Sequence, residues 1–547
     1  MTKEASMMSL RRTPLLWATL LTLAWTGSAF AQTQRSQPVK LIMNWDEQGM
    51  WRSQLEIRRR DKRVIDADVV KNIVETAVDE HAKAGIDRVA YCAWVRFGSP
   101  VPGFKSAPFQ KDYYGRAPGF ETLHEKGLDQ LQLLVDRCHK NGMEFFVCLR
   151  MNDRHGSARH AKFYLDHPEW RLEKFPGGLD YKYEGVRQPV LDFIAEVLER
   201  HDLDGIELDY QRWCHVFAPD EAVANTPLLN DFTRKARKII DAAARKRGRE
   251  RLRLSVRVPQ TLEECHDLGF DVATWIKEGL VDDVCPSDFF FTDFNIRTED
   301  FVKLAEGTNC KVYPSIHPLV AYNQPENIEP PHYIGAARNY YAFGAAGVSA
   351  YNYLYNWRRW TGGDRGFVDG WPKTLSFMTP LSDAKELSKL DRHYLSYPLW
   401  NPRAPTGAVK HDMIVIDRAK TASSDSLRFR VAEDLSDRNV KAELKVKVAG
   451  SRSGDAIRIA VNGSEIPSES FRRKHNPNGR SAKEGIALPA FDIYSVNLSG
   501  PPARFGDNFL SAELVRSAAT VKQSDNATNE NIKILEIEVI VRVLSNQ

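Results

Sequence analysis

The sequence predicts a (β/α)8 barrel followed by a C-terminal antiparallel β-sandwich. Three observations carry this. Between Val39 and Tyr394, short apolar runs alternate eight times with amphipathic helical segments. No Gly-x-Gly-x-x-Gly follows the first strand, which sets aside a doubly wound nucleotide-binding sheet. After about Pro405 the helical period disappears, and short strands separated by turn signals take over.

The elements follow in order. Lys40 to Trp45 is apolar and stops at Asp46-Glu47, a first strand. Val69, Ile73, Ala77 and Val78 fall at helical spacing within Asp68 to Ala84, and Gly85 closes that helix. Arg88 to Val95 is the second strand, Leu128 to His139 a helix, and Met143 to Arg150 the third strand. A polar and aromatic insertion runs from Asn152 to about Arg187, before a helix from Val190 to Arg200. The fourth strand lies in Asp204-Gly205-Ile206-Glu207-Leu208-Asp209, and a helix with a basic surface spans Leu228 to Arg247. The later strands are Arg251 to Val258, Asp283 to Phe290, Lys311 to Ile316 and Gly347 to Tyr353. Helices at Val272 to Gly279, Thr298 to Glu306 and Tyr333 to Phe343 separate them, and a last helix is expected from Ala384 to Tyr394. Beyond Pro405, strands are expected at Met413 to Ile416, Leu427 to Val431, Ala442 to Val448, Ala456 to Val461, Phe509 to Leu514 and Ile532 to Val543. Phe471 to Lys483 is polar and basic and reads as a loop.

The 547 residues are 42% hydrophobic and 27% charged, an ordinary balance for a chain of two or three domains. The formal charge is +4, of which Lys3, Arg11 and Arg12 against Glu4 supply +2. Those residues belong to a stretch that reads as a secretory signal over 1–31. It has a basic start, the apolar run Leu15 to Trp25 and the small-x-small site Ala29-Phe30-Ala31. The expected product is secreted or periplasmic, with the barrel in 32–400 and the sandwich in 405–547. The remaining small charge gives no case for nucleic acid binding, and no later stretch is apolar enough to span a membrane. Seven cysteines, without close repeated spacing, suggest neither a disulfide framework nor a zinc site.

Side chains alternate across a strand, so Ile206 and Leu208 share one face and Glu207 and Asp209 the other. In a barrel the second face points at the axis, and active sites gather at the carboxyl ends of the strands. Two carboxylates there suggest catalysis, because burying unpaired charge is costly and folding does not require it. The competing reading pairs them with arginines in a polar interior. Strand ends also supply Trp45, Asp46, Trp94, Arg96, Arg150, Asp153, Arg212, Trp213, Arg257, Asp288, His317, Tyr351, Asn352 and Trp357. Aromatic faces stack on sugars, and a pair of carboxylates supplies the acid and the base or nucleophile of glycosidic cleavage. Glu207, Asp209 and Asp288 are therefore the expected catalytic residues, with the others expected at the substrate. No His/Asp set has metal-ligand spacing on one strand, so neither a metal nor a cofactor is expected.

The leader, the Asp-Gly-Ile-Glu-Leu-Asp strand after His201-Asp202-Leu203 and the terminal Tyr351-Asn352-Tyr353 resemble the family 10-like glycosyl hydrolases of bacteria. The resemblance covers about Val39 to Tyr394 and implies a secreted barrel glycosidase. True family 10 xylanases carry a glutamate on strand seven; Val312-Tyr313-Pro314-Ser315-Ile316-His317 has no carboxylate. The clan that contains α-galactosidases places an aspartate nucleophile on strand four and an aspartate acid/base on strand six. Asp209 and Asp288 match those positions, which implies a retaining mechanism. The expected function is hydrolysis of a poly- or oligosaccharide. Arg96, Arg150, Arg154, Arg212, Arg257 and His317 suggest either an anionic one, since guanidinium forks match oxyanions, or neutralisation of the chain's own carboxylates. The alternatives are a carbohydrate-binding barrel without catalysis and a polysaccharide lyase.

Overall fold

A curled parallel sheet surrounded by helices comes first, and antiparallel sheets follow. The computed structural model describes residues 38–45, 58, 61–110, 123–289, 291–317, 320, 330–352, 375, 377–400, 409–410, 414–420, 422–476, 479–480, 487–488, 490–518 and 531–544. The first half runs β1 (Leu41–Trp45), α1 (Ala67–Lys83), β2 (Arg88–Trp94), α2 (Gln130–Lys140), β3 (Glu144–Arg150), α3 (Glu184–Arg200) and β4 (Gly205–Asp209). The second runs α4 (Thr226–Lys246), β5 (Arg253–Val258), α5 (Leu262–Asp267), α6 (Val272–Lys277), β6 (Asp283–Pro286), α7 (Thr298–Ala305), β7 (Lys311–Val312), β8 (Ser315–Ile316), α8 (Pro330–Ala342) and β9 (Val348–Tyr351). The sheet order is β7-β6-β5-β4-β3-β2-β1-β9-β8.

The two ends of this order are consecutive in the chain. The expected seventh strand is split at Tyr313-Pro314. Tyr313 N donates to Val284 O on one side at 2.9 Å, and Pro314 O accepts from Ser349 N on the other at 3.1 Å. Pro314 has no N–H to carry the ladder onward. The architecture is mixed α/β and consistent with a (β/α)8 barrel whose ladder lapses at this one point.

Alternation fills the sheet's concave side in tiers. In the lowest, Arg88 bonds Asp283 and Glu144, both at 2.7 Å, and lies 4.0 Å above the Phe146 ring. Asn44, Cys148, Glu207, Ser255 and Cys285 touch one another in the next. Arg150, Asp209, Arg257, Ser287, His317 and Tyr351 form the uppermost, at the strands' carboxyl ends. The convex side packs on the helices. In α1, Asp66 caps Val69 N, and Val70, Ile73, Val74, Ala77, Val78 and His81 are buried.

Two expected helices differ. The helix placed at Val190 begins at Glu184; Pro189 removes one backbone bond and the turn before it still forms. The helix placed at Ala384 to Tyr394 stops at Leu387, and Arg392–Ser396 is a strand, β10. It pairs antiparallel with Ile532–Val543, so sheet pairing overrides the local pattern. The same sheet continues through Val440–Ala449 and Phe491–Asn497 to Arg472–Asn476, where a loop was expected. A second antiparallel sheet orders Ser424–Val431, Gly506–Arg516, Ala456–Val461 and Ser464–Ile466. Val446 and Ile537 of the first sheet share one apolar core with Phe429 and Leu510 of the second.

The antiparallel part is tied to the helices by buried ions. Glu433 receives Arg392 through both oxygens at 2.6 and 2.7 Å and Arg338 of α8 at 2.7 Å. Arg430 reaches Glu299 of α7 at 2.8 and 2.7 Å, and Asp507 at 2.7 Å. All seven cysteines are buried. Among the described residues, no helix is long and apolar enough to cross a membrane.

Candidate active site

The uppermost tier is built around Asp209, the last residue of β4 and fully buried. Arg257 of β5 is its register partner across the ladder. The guanidinium grips both carboxylate oxygens, Nε to Oδ1 at 2.8 Å and Nη2 to Oδ2 at 3.2 Å. Arg212 N donates to Oδ1 at 2.9 Å, and the Tyr351 hydroxyl donates to Oδ2 at 3.3 Å. Such a bidentate, charge-assisted cradle fixes the plane of the carboxylate.

The cradle extends around the ring. Arg150 Nη2 donates to the Tyr351 hydroxyl at 3.1 Å, and the Arg257 guanidinium lies 3.7 Å over the Tyr351 ring. Arg257 Nη1 also donates to Ser287 Oγ at 2.7 Å, and that oxygen lies 2.8 Å from His317 Nε2. Burial, then Arg257 and Arg212, hold His317 well below the usual imidazole range, so it is neutral. Burial raises the Tyr351 phenol and keeps it a donor.

Glu207 is one tier deeper. Asn44 Nδ2 donates to Oε1, and Ser255 Oγ lies 3.4 Å from Oε2. Its carboxyl is pushed up to about 7, first by burial and then by the Asp209 charge. The sequence pairs Glu207 with Asp209 correctly on one face, yet the two stand in different surroundings.

Two further aspartates stand at this end. Asp288, just past β6, is fully buried and its Oδ1 accepts from Phe291 N at 2.9 Å. Asp153, after β3, bonds His155, whose Nε2 lies 2.9 Å from Arg212 Nη2. Arg154 lies between two aromatic faces, 4.6 Å from the Phe175 ring and 4.8 Å from the Trp213 ring. Its nearest polar contact is His215 Nδ1 at 3.5 Å, and it forms no ion pair among the described residues. Burial lowers this guanidinium to about 10.

Backbone strain gathers at the same end. Arg96, Phe97, Trp213 and Asn352 have φ of +48°, +55°, +82° and +48°, a region that bulky side chains rarely enter. All four follow the carboxyl ends of β2, β4 or β9. Strain of this kind costs about 1–3 kcal/mol per residue and clusters at functional sites.

Two expected substrate contacts are corrected. Trp45 alternates outward from Asn44, is 2% exposed, and donates from Nε1 to His81 Nε2 of α1 at 3.0 Å. Trp94 follows a register shift in β2 and packs its ring 5.0 Å from Phe193 of α3. Both are core. Asp46, Trp357 and the leader lie outside the described residues. Ser255, Phe175 and His215 were not expected here. Ser255 was accessible to the period-two rule, two residues before Arg257 on one strand face.

No family model and no curated protein matches the chain. Among solved structures it is similar to alpha-L-fucosidase isoenzyme 2 from Paenibacillus thiaminolyticus, at 14% identity over 58% of this chain and 46% of that one, TM-score 0.38. It is similar to the endo-beta-1,4-mannanase from Thermotoga petrophila at 10% identity over 94% and 100%, TM-score 0.41. A third is the PgaB (BpsB) glycoside hydrolase domain from Bordetella bronchiseptica, at 11% identity over 63% and 99%, TM-score 0.37. The chain spans about half the length of the fucosidase. Each likeness is weak.

Proposed function

We propose that this chain is a glycoside hydrolase for a poly- or oligosaccharide bearing acidic groups. Asp209 is the carboxylate that faces the anomeric carbon, and Asp288 is the general acid and base. One observation carries this reading: a fully buried aspartate at a strand's carboxyl end, gripped bidentately by Arg257 and oriented by Arg212 N and Tyr351. A carboxylate fixed in one plane at a strand's carboxyl end suits attack on, or stabilisation of, an oxocarbenium-like centre. The leaving oxygen needs a proton, and Asp288 follows Ser287 on this limb of the ring, its backbone oxygen accepting from Arg257 Nη1 at 3.3 Å. Glu207 takes a supporting role, because it lies one tier below the strand ends, held by Asn44 and Ser255.

Arg154 is the proposed contact for the acidic group. A guanidinium held between two rings, without an ion-pair partner among the described residues, is suited to a uronate or sulfate. The leader reading adds export, with the curled parallel sheet and its helices as the catalytic part and the antiparallel sheets, which begin at β10, as an accessory part.

A second reading has an observation in its favour. Both Asp209 oxygens already have partners, as a barrel that binds glycans without turnover would allow. Reducing-end release from neutral, uronate and sulfated glycans separates the two. Wild type should release product from an acidic glycan, Asp209→Asn and Asp288→Asn should lose roughly 10²–10⁴-fold in rate, and Arg154→Met should lose the preference for acid. Glycan binding with no release by any form would leave the binding protein.

A further inference from the structure

Away from the strand ends, side chains from three distant stretches converge. His332 lies in the first turn of α8, His393 in β10, and Glu538 in the strand Ile532–Val543. His393 Nδ1 is 2.8 Å from Glu538 Oε1, and His332 Nε2 is 3.4 Å from the same oxygen. The imidazole rings stand 4.9 Å apart at 83°. One nitrogen from each ring and one carboxylate oxygen lie within 4.8 Å of one another. None of the three side chains is more than 17% exposed.

We propose that His332, His393 and Glu538 bind a zinc ion that clips α8 to the antiparallel sheet, with water completing the coordination. Two imidazole nitrogens and one carboxylate oxygen are a zinc donor set; calcium and magnesium prefer oxygen throughout. Tetrahedral zinc with ligand bonds of about 2.0–2.2 Å separates its donors by about 3.3–3.6 Å. The contacts of 2.8 and 3.4 Å require only small side-chain rotations to meet that spacing. Neutral imidazole offers its lone pair at either nitrogen by choice of tautomer, so both rings can turn a lone pair inward.

The backbone holds this arrangement in place beforehand. His393 pairs with Ile540, which makes Glu538 its diagonal neighbour on one sheet face. Gly335 lies three residues beyond His332 on α8, and a Cβ there would collide with the His393 carbonyl oxygen. Helix and strand are therefore in backbone contact beside the three ligands. No local motif could reveal such a set, since its members are 61 and 145 residues apart.

The test is zinc titration of the full chain after chelator treatment, read by competition calorimetry and by thermal melting. One tightly bound zinc per chain, with a raised melting temperature, is expected. Bound Co²⁺ should show tetrahedral absorption. His332→Gln and His393→Gln keep a donor toward Glu538, so they should retain the unliganded melting temperature while zinc affinity falls at least about tenfold. Should either fail to fold, Glu538→Gln must show the same loss of affinity. Absence of stoichiometric zinc in the wild type would overturn the proposal, as would equal affinity in the folded variants.

Discussion

Asp209 and Glu207 show how one strand face can hold two carboxyl groups in different surroundings. Asp209 is gripped by a guanidinium, while Glu207 sees an amide, a hydroxyl and thiols. A carboxyl whose folded pKa of about 7 exceeds its ordinary 4.5 stabilises the fold below about 4.5 and loses that contribution as pH rises through 7. Glu207→Gln keeps the shape without the titration. Its stability relative to wild type should therefore climb between those pH values, by on the order of 3 kcal/mol at most. Denaturant melts at pH 4.5 and 7.5 check this, and a constant difference would contradict it. The inward parity of Glu207, Asp209 and Arg257 could be read from the sequence because strand alternation is a local rule. Trp45 and Trp94 were misplaced because proximity to a strand end does not say which way a ring points.

At the scale of elements, order was legible and ends were not. Each β–α alternation left an apolar period that survives folding. The break at Pro314, the early start of α3 and the strand Arg392–Ser396 depend on partners far along the chain. The contact between α8 and β10 is the clearest case. Only the absence of a side chain at Gly335 lets the helix reach the His393 backbone. Gly335→Ala would add helix propensity yet force the two elements apart. The net result should be a loss of about 1–3 kcal/mol in a denaturant melt, and a neutral or stabilising effect would contradict that packing.

For the whole molecule, the junction decides whether the two parts unfold together. Both belong to one unit, Gln37–Gln547. Glu433 neutralises the buried Arg392 and reaches Arg338 on α8, while Arg430 spans to Glu299. Removing one member leaves a buried charge unpaired, at a cost of about 3–5 kcal/mol. Calorimetry of the wild type should show one thermal transition, and Glu433→Gln should lower it or split it in two. An unchanged single transition would mean that the junction contributes little. The sequence showed a change of composition near Pro405, yet these ions could not be paired from it.

Chemical rescue of Asp209→Ala, on the glycan that the wild type cleaves, tests the placement of Asp209 at the reacting carbon. If Asp209 faces the anomeric carbon, the variant should be inactive alone and recover turnover with azide, giving a glycosyl azide in place of the sugar. A variant that hydrolyses glycan at the wild-type rate without azide would remove Asp209 from the reaction.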